Sequence, residues 1–326
     1  FYDEKMSDRI CSPRFIDKGD VITDIFSSNS KILEINSKSG LYPLYVAYSI
    51  YRKRLERENL LFVVSEDAVE QRRAEHLRIW DEVLQENLFI VCKTPMAKSI
   101  SRRTLVGYRE AKVNARYFED LINQISNKKE NFITKVSDGQ GYWKSNNNKN
   151  MIFNAIIGNP PYQAMDGGNN ASAKPLYNLF VEAAVALKPN YVSMIMPARW
   201  YNGGKGLDNF RAFMLNNRHI SKLVDYVDCH DCFPTVDIAG GICYFLWDKN
   251  HTGDCSFEQI IRGERTFVER DLSENLTFIR YTEALNIISL VMSQSSTFMN
   301  KIVSARKPFG LATDVKPIKD GDIDLR

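Results

Sequence analysis

The order of segments in this chain predicts an α/β fold, a doubly wound and mainly parallel sheet. Strand-length apolar runs alternate with stretches of helical apolar spacing, and such alternation builds parallel sheets with helices on both faces. Two of the runs end in turns, 36–40 and 159–162, at the strand ends where open α/β sheets bind ligands. The Asp-, Cys-, Pro- and Gly-rich link between two late strands, 220–227 and 242–247, is long enough to reverse direction. An antiparallel strand is therefore expected near the C-terminal end.

Taken in order, 31–35 reads as a strand, 36–40 as a small-residue turn and 41–54 as a helix ending in a basic cluster. The second strand is either 60–64 or 88–92. The second is preferred, preceded by a helix over 70–86, because Pro95 then stands just past the strand end and can open the next helix. Residues 112–125 read as a helix, and 127–150, rich in Lys, Asn and Ser, as a mostly irregular connection. The clearest buried strand is 152–157, stopped by Gly158. A Gly-, Asn-, Ser- and Ala-rich loop at 165–174 follows and is expected to be mobile. Then come a helix over 176–187, a strand over 191–196 and a helix over 207–215. Past residue 250 the alternation weakens into a hairpin over 255–268 and a helix over 282–292. The expected division is a catalytic domain over 1–250 and a small C-terminal extension over 251–326.

Composition narrows the class. With 44 % hydrophobic and 25 % charged residues the chain can build a large core, and no apolar run is long enough to span a bilayer. The opening residue is Phe1 and no signal-peptide pattern starts the chain, so a piece of a longer cytoplasmic polypeptide, with further domains, is expected. Six cysteines in 326 residues are too sparse for a disulfide framework and read as reduced thiols. Cys229 and Cys232 enclose His230 in a CxxC, but no second ligand pair stands at zinc spacing, and no metal is expected. The net charge of +3 is uneven, since residues 93–149 hold 12 Lys and Arg against 5 Asp and Glu. Such a stretch suits a phosphate backbone, or is merely a solvated helical surface.

Asn159-Pro160-Pro161-Tyr162 is where chemistry is expected. An amine nitrogen conjugated to a ring or carbonyl is a poor nucleophile, because its lone pair is delocalised. Accepting hydrogen bonds from both amine hydrogens draws the nitrogen toward tetrahedral geometry. The Asn159 side-chain oxygen can take one hydrogen and the Pro160 carbonyl the other. Successive prolines stiffen the turn that aims these acceptors, and Tyr162 offers a flat face for stacking.

The segment Ile156-Ile157-Gly158-Asn159-Pro160-Pro161-Tyr162-Gln163 resembles adenine-specific DNA methylases of the restriction–modification type, in particular those joining methylation and restriction in one polypeptide. Pro175-Leu176-Tyr177, Met196-Pro197-Ala198-Arg199-Trp200, and Phe233-Pro234 leading to Gly240-Gly241-Ile242-Cys243-Tyr244-Phe245 are also similar to that family. The resemblance covers roughly residues 10–249. It implies a Rossmann-like methyltransferase using S-adenosylmethionine, with double-stranded DNA as partner and the N6 amine of a flipped-out adenine as acceptor. It also implies cofactor-binding roles. Ser12 and Pro13 match the short motif that closes over the cofactor. Glu34 takes the place of the acidic residue that attracts its ammonium group. Asn36, Ser37 and Gly40 form the cofactor turn, and Thr94 stands just after the second strand.

The chain departs from the family pattern in three places. Lys38 stands where a glycine is usual. Cys92, Lys93 or Thr94 stands where a ribose-binding acid is usual, unless the strand is 60–64 and Glu66 or Asp67 serves. Asn154 replaces a frequent Asp. Two other readings stay open. One is a protein glutamine-amide methyltransferase, and the other a non-catalytic DNA-positioning module of a larger restriction protein. S-adenosylmethionine binding weaker than usual is expected, as is poor, sequence-indifferent DNA binding by residues 1–326 alone.

Overall fold

The computed structural model describes residues 25–60, 68–138, 142–143, 151–164, 174–202, 204, 206–274, 278–294 and 303. Ser12, Pro13, Glu66, Asp67, nearly all of the alternative strand 60–64, and loop residues 165–173 lie outside them. Two compact units divide the chain, Phe1–Phe278 and Ile279–Arg326.

The first unit is an α/β layer structure on a nine-stranded sheet ordered β3-β2-β1-β4-β5-β7-β6-β8-β9. β1 (Ile32–Ser37), β2 (Leu88–Cys92), β3 (Asn114–Tyr117), β4 (Ala155–Gly158) and β5 (Tyr191–Pro197) are mutually parallel. The expected antiparallel strand is β7 (Ile242–Asp248), inserted between β5 and β6 (Ile220–Tyr226). The expected hairpin forms as β8 (Cys255–Ile261) and β9 (Glu264–Arg270). It continues the same sheet, β8 lying parallel to β6.

The central strands read mainly as apolar runs, interrupted by Glu34 in β1 and Ser193 in β5, because both faces are covered. Leu33, Ile35, Phe89, Val91 and Ile156 point into one core and Ile32, Leu88, Ile90 and Ala155 into the other. Helices α1 (Leu41–Arg57), α2 (Ala68–Glu86) and α3 (Pro95–Val106) contribute to the second core. Helices α4 (Leu121–Asn127), α5 (Lys129–Asp138), α6 (Tyr177–Ala186) and α7 (Asp208–Asn216) contribute to the first. Strand alternation therefore puts Glu34 and Asn36 on the α1–α3 side. The unit closes on Phe278, whose ring lies 4.3 Å from that of Tyr201 and takes the Arg270 guanidinium at 4.7 Å.

The choice of second strand falls on Leu88–Cys92, and Pro95 does open the following helix, with Thr94 as its cap. Three readings need correction. The helix expected over 112–125 is strand β3 followed by the short α4. Its apolar positions alternate as in a strand: Val113 and Ala115 are buried, and the Asn114 amide donates to the Gln85 carbonyl at 2.7 Å. Asp120, at φ 56°, turns the chain and caps α4. The connection expected to be irregular contains the regular helix α5, which buries Phe132 and Val136. The strand expected over 152–157 starts only at Ala155, because Asn154 spends its side chain on the Lys31 N–H at 2.8 Å while Ile152 is exposed.

In the second unit, helix α8 (Thr282–Gln294) buries none of its residues, and Ile287, Leu290 and Val291 are exposed. Among the described residues no helix is long and apolar enough to cross a membrane.

Candidate active site

The strand order reverses between β1 and β4, which makes their carboxyl ends the place for a ligand. Register decides what meets there. Ile35 pairs with Gly158, so the residues that follow, Asn36 and Asn159, emerge side by side. The Asn36 amide donates to the Asn159 main-chain oxygen at 2.9 Å, across a sequence gap of 123 residues. Gly158 is required for this approach: a β-carbon there would stand 2.7 Å from the Ile35 carbonyl oxygen.

The turn after β1 is tight although it is poor in glycine. Asn36 itself takes the left-handed conformation, at φ 71°, which Asn tolerates better than most residues. Gly40 takes a second, at φ 78°, and lies so close to α3 that a β-carbon would come within 2.8 Å of Ser101 Cα. Two hydrogen bonds pin the turn to α3, Ser37 Oγ to Ser101 Oγ at 3.0 Å and Thr104 Oγ1 donating to Ser39 O at 2.6 Å. The amino end of α1 begins here.

Glu34, Asn36, Lys38, Ser39, Tyr42 and Asn159 line a cavity of about 230 Å³. Glu34 is 3 % exposed, and its Oε2 meets no hydrogen-bond partner among the described residues. Burial pushes its carboxyl up to about 7, with a Ser37 hydrogen bond and the Lys38 charge pulling the other way. Thr94 sits apart from this lining. Its hydroxyl accepts from the Ala97 N–H at 3.1 Å and caps α3. Beside it, Cys92 is buried, its thiol pushed up to about 12 by desolvation.

Beyond Asn159 the chain turns through buried Pro160 to half-buried Tyr162. Leu176 N–H donates to the Tyr162 carbonyl at 3.2 Å and Ala164 N–H to the Lys174 carbonyl at 2.9 Å, so the loop between them is closed at its neck. Tyr162 forms one wall of a second, larger cavity of about 390 Å³, with Tyr177, Pro197, Arg199, Leu207 and Ile238 among its other walls. Burial raises the Tyr162 phenol above its ordinary value, assisted by Tyr42 and then by Cys243 and Cys232, so it stays neutral.

Two groups at the site escaped the sequence reading. Tyr42 sits in the first turn of α1, within a stretch read from sequence only as a helix. It lines the Glu34 cavity and also an apolar one of about 270 Å³ shared with Ile157, Ile195 and Tyr244. Cys232 was weighed only as a metal ligand, yet it lies close enough to Tyr42 and Tyr162 that its ionised form would raise their phenols, while burial keeps its own thiol protonated. Its CxxC partner Cys229 is buried and tied into the loop, donating to the Val236 carbonyl and accepting from the Ile238 N–H, both at 3.1 Å. His230 Nδ1 stands 2.7 Å from Asp228 Oδ1, and Asp228, Cys229 and His230 are close enough to hold an ion.

Comparison with known proteins finds likeness over part of the chain. The Eco57I restriction-modification methylase family matches residues 86–233. An uncharacterized adenine-specific methylase of Mycoplasma pneumoniae is 33 % identical over 175 residues, 53 % of this chain and 39 % of that protein. The Type II restriction enzyme and methyltransferase RM.Eco57I of Escherichia coli is 23 % identical over 193 residues, 50 % of this chain and 19 % of its own length. The matched part thus spans well under half of either curated relative. A modification subunit of a putative type I restriction enzyme from Vibrio vulnificus superimposes with a TM-score of 0.45 at 10 % identity, over 83 % of this chain and 50 % of that one. The likeness to the Eco57I restriction-modification methylase family thus rests on residues 86–233.

Proposed function

We propose that this chain transfers a methyl group from S-adenosylmethionine to the N6 amine of an adenine swung out of double-stranded DNA. The observation that carries the reading is the convergence of Glu34, Asn36 and Asn159 on one cavity at the strand-order reversal. The nearby 390 Å³ cavity, walled by Tyr162, is roomy enough for a base.

The residues fit the cofactor. A buried carboxylate oxygen without a partner is a place for an ammonium group, and the turn from Asn36 and Ser37 to Gly40 supplies a close backbone approach. Ser12 and Pro13 would close over it. Thr94 is assigned a role through α3, which it caps, more than through direct contact. Bound there, S-adenosylmethionine supplies an electrophilic methyl group.

Asn159 Oδ1 and the Pro160 carbonyl accept the two amine hydrogens and free the nitrogen lone pair. The Asn36–Asn159 hydrogen bond fixes the main chain from which the Asn159 side chain extends. Tyr162 stacks on the ring, and as a neutral phenol it neither attracts nor repels the charge that develops. No strong base is needed, because the methylated amine is acidic enough to shed its proton to water. The methylase part lies in the first unit, and the residues after it lead toward target recognition and further domains of a longer polypeptide.

Labelled methyl transfer to duplex DNA, compared with a glutamine-containing peptide, tests the reading. Label in DNA that is lost in Asn159→Ala supports it. Label in the peptide alone would replace it with the glutamine-amide reaction.

A further inference from the structure

We propose that Arg199 receives a backbone phosphate of the displaced nucleotide at the mouth of the cavity beside Tyr162. The inference rests on the function proposed above and adds a substrate-binding residue to it.

Three features of Arg199 lead there. Its mount is rigid. The 3₁₀ turn Ala198–Tyr201 is held to the start of β7 by Ala198 N–H donating to the Gly241 carbonyl at 3.0 Å. The next residue, Trp200, is fully buried, with its indole N–H 3.4 Å from Cys243 Sγ. The side-chain stem passes Gly240, where a β-carbon would come within 3.4 Å of Arg199 Cγ. Its head is uncommitted. Among the described residues no hydrogen bond or ion pair holds the guanidinium, whereas nearby Arg211 is engaged with Asp208 and Arg218 with Asp254 and Asp271. Finally, it lines a built cavity. Gln163 and Asp237 are there too, and so is Tyr177, which is 2 % exposed with a hydroxyl that meets no partner.

A fixed stem with a free cationic fork is complementary to an anion. A nucleotide that enters the cavity with its base brings the adjoining phosphates to the rim. A guanidinium can hold one phosphate through two parallel N–H···O bonds, which an ammonium cannot. Asp237, which also lines the cavity, disfavours an anion beside it and leaves the guanidinium of Arg199 as the phosphate's partner.

The experiment measures steady-state methylation of a duplex by the full chain, with S-adenosylmethionine binding followed separately. For Arg199→Ala we expect KM for DNA to rise roughly tenfold or more while kcat stays within about twofold. The slope of log KM against log salt should flatten by about one, and cofactor affinity should not change. Arg199→Lys should recover part of the loss. Neutral methylphosphonates beside the target adenine should weaken the parent but add nothing to Arg199→Ala, as expected of a direct pair. An unchanged salt slope, or a methylphosphonate effect of equal size in parent and variant, would overturn the assignment while the methylase reading stands. A parent chain that binds cofactor and transfers no methyl to DNA would overturn both.

Discussion

Glu34 carries its carboxyl group into the sheet, where burial raises its pKa to about 7 while Ser37 and Lys38 moderate the effect. The carboxyl is held above its unfolded value, so the stability it contributes is fully present below about pH 4 and is lost as pH rises through about 7. The difference is on the order of 3 kcal/mol. Thermal unfolding of the cofactor-free chain should therefore show lower stability at pH 8 than at pH 6, and Glu34→Gln should remove most of that slope. An ammonium ligand reverses the preference, because it favours the ionised form. Affinity for S-adenosylmethionine should fall as pH drops below 7, with proton release on binding visible by calorimetry in buffers of different ionisation heat. Binding independent of pH between 6 and 8 would place the ammonium elsewhere. For Asn159, a hydrogen bond strengthened in the transition state is at stake. Asn159→Ala should lower kcat by about 10²- to 10³-fold with an unchanged unfolding midpoint. Tyr162→Phe, which keeps the stacking face, should stay within a few-fold of the parent.

At the scale of elements, the approach of β1 to β4 decides whether the site exists. A β-carbon on Gly158 would collide with the β1 main chain, so Gly158→Ala must separate the strands and move Asn159 away from Asn36. A loss of roughly 1–3 kcal/mol in urea unfolding is expected, with a larger relative loss of methyl transfer. On the other side of β1, buried Asn87 donates to the Ser28 and Ser30 carbonyls at 2.9 and 2.6 Å and accepts from Arg54 at 2.9 Å. Asn87→Ala would remove these three bonds, although Arg54 still donates to the Ser28 carbonyl and pairs with Glu82 and Glu86, and should cost roughly 1–3 kcal/mol.

The parallel core was legible because buried strands such as 88–92 are continuous apolar runs and 191–196 is broken only by Ser193. β3 was not, because Lys112, Arg116 and the short Val113/Ala115 alternation carry as much helical as strand character, and only pairing with β2 settles the matter. α5 was hidden by its Lys and Asn content, with Phe132 and Val136 its sole buried residues. At the site, the Asn-Pro-Pro-Tyr turn was readable from local chemistry. Its meeting with Asn36 depends on strand register, and Tyr42 on the direction of a helix, neither of which a local reading contains.

Across the whole molecule, charge separates into committed and available cations. The basic stretch over 93–149 looked suited to a phosphate backbone, yet several of its arginines are engaged locally. Arg109 pairs with Asp81 at 2.7 Å, Arg102 donates to the Arg109 and Ala111 carbonyls, and Arg103 lies over Tyr108 at 4.4 Å. Replacing Arg102 or Arg109 by Ala should therefore lower stability more than DNA affinity, as read by unfolding and by binding titration at two salt concentrations. Arg199 should show the opposite balance. The central claim is that one surface of the first unit joins a cofactor turn to an adenine-methylating turn. Its most direct measurement is nucleoside mass spectrometry of duplex DNA incubated with the full chain and S-adenosylmethionine carrying a trideuterated methyl group. The account predicts trideuterated N6-methyladenine, absent when Asn159→Ala is used. Label on cytosine, or none in DNA from a chain shown to bind the cofactor, would contradict it.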